Sequence, residues 1–180
     1  MPVSICNIPR EELTLDLSSA LSDPRELRRA FGRFPTGVTV ITTQGANGKL
    51  EGITANSFTT VSLDPPLVLW SLRNDARSRL GFQQAHHFAI HVLAREQHGL
   101  SMRFATAAED KFKGLDIEEG LGGCPLLPAC LARFECETQR VIPAGDHQMW
   151  LGRVIRVTHA AGEPLVFNSG RLAAVAELEI

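Results

Sequence analysis

Residues 38–56 have the sequence VTVITTQGANGKLEGITAN, in which two segments rich in β-branched residues flank the turn-forming stretch QGANG at residues 44–48. Valine, isoleucine and threonine favour strands, and glycine and asparagine between two such segments favour a tight connection. We therefore predict a β-hairpin with one strand at residues 38–43 and a second at residues 50–56.

Similar strand patterns recur at short spacing along the chain. Residues 67–72 are apolar on both faces, as in a central or barrel strand. The strands predicted outside the hairpin are residues 59–63, 67–72, 88–93, 133–139 and 149–158. The predicted helices are short and cover residues 23–34, 77–85 and 95–105. Six or more strands with only brief helices indicate a mainly β protein, an antiparallel barrel with a few peripheral helices.

The first helix has a clear start signal. Asp23 can cap it, Pro24 suits the first helical position, and Glu26 lies three residues after the cap. Its apolar stripe is expected to consist of Leu27, Ala30 and Phe31. Residues 1–22 show no periodicity, so we predict an N-terminal arm at residues 1–22 and a single domain at residues 23–180.

Size and charge exclude several classes of protein. With 180 residues and 44% hydrophobic composition, the chain can bury the core of one domain. A net charge of -2 gives no electrostatic reason to expect nucleic acid or an anionic membrane as a partner. The sequence shows no membrane span of roughly 20 apolar residues and no secretory signal, so we expect a cytoplasmic protein.

A metal site is not expected. The four cysteines form no Cys-x-x-Cys pair and are interpreted as free thiols in a reducing compartment. His87 and His91 share one face of a strand but would be about 13 Å apart. That separation is too large for one metal ion.

The sequence contains neither Gly-x-Gly-x-x-Gly nor Gly-x-x-x-x-Gly-Lys, so the usual glycine-loop nucleotide sites are absent. Polar residues at strand ends suggest another way to hold a flavin. Small side chains at Thr54 and Ala55 would let backbone N–H groups approach a flat ring, and Asn56 and Ser57 add side-chain donors. A strand that simply ends in polar residues is an equally good interpretation of these four residues taken alone.

Two further groups of residues could bind a phosphate. Ser71 ends a strand, and Arg77 and Ser78 precede a helix, where a cation and backbone donors suit an anion. A capped helix with a solvated arginine remains the alternative. Arg103 and Phe104 could supply another cation and an aromatic wall. Residues 110–112 are interpreted as a surface loop with one anchored phenylalanine.

The tripeptide Gly145-Asp146-His147 lies between two predicted strands. Asp146 can fix one tautomer of the imidazole, and the ring of His147 would be exposed at the mouth of a strand pair. Such a histidine could hydrogen-bond a nicotinamide or donate a proton near a flavin. A plain turn residue is the alternative.

In their order and spacing, these segments resemble the short-chain flavin reductase family, the reductase components of two-component flavin monooxygenases. The resemblance covers residues 27–171, about four-fifths of the chain. The segments that carry it are residues 34–40, 52–58, 61–69, 110–112, 145–147 and 164–167. It implies an FMN-binding antiparallel split β-barrel that forms a homodimer, with the flavin in a groove near the subunit interface.

The resemblance also implies roles for individual residues. Thr54, Ala55, Asn56 and Ser57 would contact the flavin ring and ribityl chain. The ribityl chain and phosphate would be held by Ser71, Leu72, Arg77 and Ser78. Arg103 and Phe104 would complete the pocket, and Gly145, Asp146 and His147 would meet NAD(P)H. The family's usual aromatic residue after the late arginine is missing, since Leu172 follows Arg171 and the chain contains no tyrosine.

The leading hypothesis is an NAD(P)H:flavin oxidoreductase that reduces FMN or FAD by hydride transfer and supplies reduced flavin to a partner monooxygenase. His147 is the candidate active-site residue, with a binding or orienting role. The alternatives are a tightly FMN-bound electron carrier of the same fold, an oxidase of a pyridoxal-type substrate, and a structural barrel. FMN against FAD and NADH against NADPH stay open; Arg156 or Arg171 could meet a 2′-phosphate.

Overall fold

A computed structural model describes residues 12–18 and 23–176. The predicted N-terminal arm therefore lies largely outside the described residues, and residues 12–18 form neither helix nor strand. The described part contains the helices α1 (Pro24–Phe31), α2 (Arg79–Gln84) and α3 (His98–Ala105), and 3-10 turns at Arg95–Gln97 and Leu121–Gly123. None of the described helices is long and apolar enough to cross a bilayer.

The described residues also form twelve strands. They are β1 (Thr36–Gly37), β2 (Thr39–Gln44), β3 (Leu50–Ala55), β4 (Thr59–Leu63), β5 (Pro66–Arg73), β6 (His87–Val92), β7 (Glu118–Glu119), β8 (Pro125–Leu126), β9 (Ala132–Ala144), β10 (His147–His159), β11 (Val166–Asn168) and β12 (Arg171–Ala173). Each predicted strand is present within three residues at either end, except that β9 extends to residue 144.

Seven of these strands form one antiparallel sheet in the order β3-β2-β6-β9-β10-β5-β4. The sheet curls, so that β3 and β5 come into contact although they lie five places apart in that order. The two are linked just beyond β3, where the Ser57 hydroxyl accepts from the Ser71 N–H at 2.9 Å and donates to the Ser71 carbonyl. The predicted mainly β class with antiparallel split-barrel architecture is confirmed.

The interior of the curled sheet is aromatic. Alternate residues of β5 point inward, and Trp70 stacks on Trp150 with ring centroids 5.0 Å apart. Phe82 and Phe88 pack edge-on against Trp70. Gly152 makes room for this packing, because a Cβ there would lie 2.3 Å from the Phe88 ring. This core fixes the inner face of β5.

The first helix begins as predicted, with the Asp23 side chain accepting from the Arg25 N–H at 2.8 Å and Pro24 in the first turn. Its predicted apolar stripe is not part of the core: no residue of α1 is buried, and Phe31 is 70% exposed. The helix also ends at Phe31, with Gly32 as its C-cap, three residues before the predicted end. Within the predicted stripe, Leu27 is half-buried, whereas Ala30 and Phe31 are exposed.

Candidate functional site

A cleft of about 1030 Å³ opens between β3, the end of β5, the start of α2 and the loop after α3. Most of the residues predicted to bind the flavin or the nicotinamide line it, namely Thr54, Ala55, Asn56, Ser57, Ser71, Leu72, Arg77, Ser78, Phe104 and His147. Residues from four separate parts of the sequence thus share one concave surface. Concave sites with a few convergent polar groups are where small ligands bind.

The wall formed by β3 offers free backbone groups, because β3 is an edge strand of the sheet. The Gly52 carbonyl lies on the open edge, where it accepts a hydrogen bond from Lys111 Nζ at 3.2 Å. Backbone direction alternates along a strand, so the N–H of Gly52 and of Thr54 point to the same open edge. No neighbouring strand covers these N–H groups, so a flat ring can approach this edge and accept hydrogen bonds from them.

The side chains along this wall are partly committed to the protein itself. The Thr54 hydroxyl donates to the Ser101 carbonyl at 2.5 Å, and the Ser57 hydroxyl bonds the Ser71 backbone. These two hydroxyls therefore fix the shape of the wall. Asn56 is the residue of this group whose side-chain amide has no hydrogen-bond partner in the described structure.

Close packing of two phenylalanines keeps this wall in place. The rings of Phe104 and Phe112 meet edge-to-face with centroids 5.0 Å apart. Both lie against Gly52, where an added Cβ would be 2.5 Å from the Phe104 ring and 3.1 Å from the Phe112 ring. Phe104 is fully buried. It contributes to the cleft as a packed wall.

Arg77 and Ser78 lie at the entrance to α2. The helix begins at Arg79, two residues later than predicted, and Ser78 is its N-cap without a side-chain capping bond. The Arg77 guanidinium forms no ion pair or hydrogen bond with any described residue, in contrast to Arg73, which binds Asp75 through two bonds of 2.9 and 2.7 Å. This end of the cleft therefore carries an uncommitted cation and a free hydroxyl.

Arg103 is used differently from Arg77. Its Nε donates to the Lys111 carbonyl at 2.6 Å, and its Nη2 donates to the Lys113 carbonyl. Arg103 is not among the residues that line the cleft. Its guanidinium anchors the loop that forms the outer wall.

Gly145 and Asp146 form the turn between β9 and β10, and His147 is the first residue of β10. Gly145 has φ +62°, and a Cβ there would meet nothing within 4 Å, so glycine is favoured by backbone conformation. The turn is tied to β5 because the Asn74 N–H donates to the Asp146 carbonyl at 2.9 Å. The His147 ring is thereby held beside the cleft.

His147 Nδ1 lies 2.7 Å from the Asp146 carboxylate. This hydrogen bond, and then the charge of His147, lower the pKa of Asp146. The carboxylate thus stays an acceptor for the Nδ1 proton, and in the neutral ring this arrangement leaves Nε2 free to accept. The turn presents one oriented acceptor to the cleft, while Gly145 and Asp146 shape it without lining the cavity.

A second, shallower hollow of about 470 Å³ adjoins the cleft. Its lining includes Asn56 and Ser57, which also line the main cleft, and residues 34–37 and 58–59. The segment Phe34-Pro35-Thr36-Gly37, singled out in the sequence, therefore lines a hollow that shares Asn56 and Ser57 with the main cleft.

The sequence did not single out Lys111 as a site residue. The structure places it in the cleft, together with Lys49 and Glu51, which form an ion pair of 2.9 Å. The interpretation of residues 110–112 as a surface loop with an anchored phenylalanine is correct for Phe112, which is buried, but wrong for Lys111. The signal was available, because residues 110–112 are among the segments that carry the family resemblance.

Arg156 is also committed. It binds the buried carboxylate of Glu135 at 3.0 and 3.2 Å. Only Nη1 of Arg156 takes part in this pair, so the guanidinium keeps further N–H donors on its exposed side. Arg171 is exposed at the start of β12, away from the residues that line the cleft.

Comparison with known proteins identifies the family of the chain. The flavin reductase like domain matches residues 31–176. The FMN reductase (NADH) SmoA of Agrobacterium fabrum is 47% identical over 81% of this chain and 83% of its own length. The stachydrine N-demethylase reductase subunit Stc3 of Rhizobium meliloti is 49% identical over 73% of this chain. The chain spans only 57% of the length of that relative.

Solved structures give the same result. The Streptomyces globisporus NADH:FAD oxidoreductase SgcE6 superimposes with a TM-score of 0.85 at 38% identity, covering 96% of this chain and 97% of that protein. A second structure of SgcE6, in complex with NAD and FAD fragments, superimposes with a TM-score of 0.81. The matched domain covers most of the chain, and the relatives are similar along nearly the whole described structure. The chain therefore belongs to the flavin reductase like domain family.

Proposed function

We propose that this protein is an NAD(P)H:flavin oxidoreductase that reduces FMN or FAD and delivers the reduced flavin to a partner monooxygenase. One observation carries the proposal. A single cleft has an edge strand with free backbone donors along its wall, an uncommitted cation at one end and an oriented imidazole at the other. Family membership and the names of SmoA and SgcE6 support it.

The residues fit a flavin in chemical terms. The free N–H groups of β3, with Asn56, would hold the polar edge of the ring and the ribityl chain beside Ser71 and Leu72. Arg77 and Ser78 would hold the phosphate. When bound, the flavin supplies the hydride-accepting chemistry, and the protein supplies orientation and electrostatics.

His147 is proposed to orient the nicotinamide. Its free Nε2 can accept a hydrogen bond from a carboxamide N–H, and Asp146 keeps the ring in the tautomer that this requires. No acid or base is needed for hydride transfer, so His147 is expected to act on binding more than on the chemical step.

We infer that the protein forms a homodimer. Exposed apolar side chains on α1, β4 and β10 support this, and Leu63, which is 95% exposed, is the most exposed of them. The others on these elements are Phe31, Val61, Ile155 and Val157. A cytoplasmic location follows from the proposed use of NAD(P)H and fits the three free cysteines of the described structure.

The test is anaerobic oxidation of NADH and of NADPH, with FMN, FAD or riboflavin added at increasing concentration. A reductase is expected to show turnover that saturates with free flavin, and the same series ranks the flavins and the nicotinamides. A tightly FMN-bound electron carrier would instead retain its flavin through gel filtration and turn over free flavin slowly. Absence of both turnover and flavin binding would refute the proposal.

A matched pair of variants tests whether His147 contributes to nicotinamide binding. His147→Ala is compared with His159→Ala, since His159 lies at the far, exposed end of the same strand. We expect a raised KM for the nicotinamide in the first variant only.

A further inference from the structure

Lys111 lies in the wall of the cleft with its ammonium group turned toward the protein backbone. Nζ donates to the Phe104 carbonyl at 2.7 Å and to the Gly52 carbonyl at 3.2 Å. These two carbonyls belong to α3 and to β3, so the side chain links two walls of the cleft. An ammonium group has three protons. One of them remains for a group inside the cleft.

Lys111 forms no ion pair with a carboxylate among the described residues, and its two hydrogen bonds go to backbone carbonyls. Burial lowers the pKa of Lys111; Glu51 acts in the opposite direction, and the positive charge of Arg77 lowers the pKa further. Arg77 itself has no anionic partner among the described residues. The structure therefore holds two cations close enough to repel each other on one concave surface.

Most of the acidic groups around the cleft are bonded to residues other than Lys111 and Arg77. Glu51 pairs with Lys49 at 2.9 Å, and Asp75 pairs with Arg73 at 2.7 Å. Asp110 accepts from the backbone N–H groups of residues 112 and 113 at 2.8 and 3.1 Å. Glu109 also lines the cleft but is exposed to water. Two neighbouring cations without an ion-pair partner are the arrangement that a phosphate neutralises.

The position of Lys111 depends on Arg103. The guanidinium of Arg103 holds the Lys111 carbonyl at 2.6 Å and also binds the Lys113 carbonyl. Without these bonds, the loop of residues 106–113 would keep the Lys111–Phe104 hydrogen bond and the Phe104–Phe112 contact to α3, but the backbone of Lys111 would be held less firmly.

We propose that Lys111 binds the flavin 5′-phosphate together with Arg77 and Ser78, and that Arg103 is a positioning residue that holds Lys111 in place. This inference rests on the proposed flavin reductase function and assigns the phosphate end of its site. Arg103 then affects flavin binding through the loop, without contact with the flavin.

The experiment compares FMN with riboflavin, which has the same ring and ribityl chain but no phosphate. Dissociation constants for both are measured by quenching of flavin fluorescence for the wild-type protein, Lys111→Met and Lys111→Gln. Lys113→Met is the matched control, because Lys113 lies on the same loop with an exposed side chain. The glutamine variant keeps a donor for the two carbonyls if the methionine variant does not fold.

The expected result is a rise in the Kd for FMN of about tenfold or more in both Lys111 variants, as for loss of a charge-assisted hydrogen bond. The Kd for riboflavin should change less than about twofold, and Lys113→Met should leave both constants unchanged. Arg103→Gln, like the Lys111 variants, should weaken the binding of FMN more than the binding of riboflavin. Equal losses for FMN and riboflavin in the Lys111 variants would overturn the proposal, because they would make Lys111 a structural link only.

The two levels of the argument fail in different ways. If the wild-type protein binds neither FMN nor riboflavin, the proposed function fails. If it binds and reduces both equally well, the reductase function stands and the phosphate site is refuted.

Discussion

His91 lies near the end of β6, fully buried, and both of its ring nitrogens are hydrogen-bonded to the backbone. Nε2 accepts from the Leu127 N–H at 3.1 Å, and Nδ1 lies 3.0 Å from the Val40 carbonyl. A backbone N–H can only donate, so Nε2 must be unprotonated and Nδ1 must carry the proton. The neutral ring thus connects β2 to the segment that follows β8.

The pKa of His91 is lowered from 6.5 to about 4, first by burial and also by the charge of Arg133, while the Val40 carbonyl acts in the opposite direction. The unfolded chain therefore binds a proton at a higher pH than the folded protein does. The stability that His91 contributes is complete above about pH 6.5 and is lost as the pH falls toward 4. At 1.36 kcal/mol for each unit of pKa, the total loss is about 3 kcal/mol.

The assay is urea unfolding followed by tryptophan fluorescence at a series of pH values from about 7.5 to about 4.5. Trp70 and Trp150 are fully buried and stacked, so their emission reports the core. In His91→Gln, an amide can donate one hydrogen bond and accept another but does not titrate. We expect the free energy of unfolding of this variant to fall by about 2 to 3 kcal/mol less than that of the wild type over this range.

Other groups also titrate in this range, so the comparison is the difference between the two pH profiles. His159→Gln serves as the control, because His159 is exposed at the end of β10 and its removal should leave the profile unchanged. A His91→Gln profile parallel to that of the wild type would refute the reasoning. It would mean that His91 is protonated as easily in the folded protein as in the unfolded chain.

Three further outcomes are expected. Gly52→Ala should lower the free energy of unfolding by about 1 to 3 kcal/mol, because its Cβ would overlap the Phe104 ring; Gly99→Ala, in α3 with open space around it, should be neutral or stabilising in the same denaturation experiment. Gly145→Ala should lower the free energy of unfolding by about 1 to 2 kcal/mol, because residue 145 has a positive φ, and flavin affinity should stay the same. Weaker flavin binding by this variant would show that a ligand approaches the glycine closely. His147→Ala should raise the KM for the nicotinamide and leave the Kd for flavin nearly unchanged, and equal losses in steady-state and binding measurements would place His147 in the flavin pocket instead.

Local sequence patterns were sufficient for the seven strands of the main sheet, but not for the short strands β1, β7, β8, β11 and β12. The hairpin at residues 38–56 is encoded by β-branched segments around a glycine-rich turn, and it became β2 and β3 almost without change. Asp23 and Pro24 start α1 because a cap and a proline act within a single turn. These signals depend on neighbouring residues, and so they can be read without a structure.

The use of polar side chains could not be predicted in this way. Thr54 and Ser57 carry the hydroxyls expected at a flavin site, but both bond to backbone groups of distant residues. Arg103 and Arg77 are both arginines close to a helix end, yet one anchors a loop and the other has no partner. The difference depends on which carbonyls lie nearby in space, and sequence spacing does not contain this information.

Strand periodicity, turn residues and motif order are properties of the linear chain, and they were enough to predict the fold class, the family and most of the segments that form the cleft. The folded protein was needed to show that Lys111 lines the cleft, that Arg103 binds the Lys111 carbonyl, and that His91 is hydrogen-bonded as a neutral ring. Each of these depends on burial and on hydrogen bonds between residues up to 59 positions apart, such as Lys111 and Gly52. Folding creates those surroundings, and they set the charge, orientation and availability of each side chain.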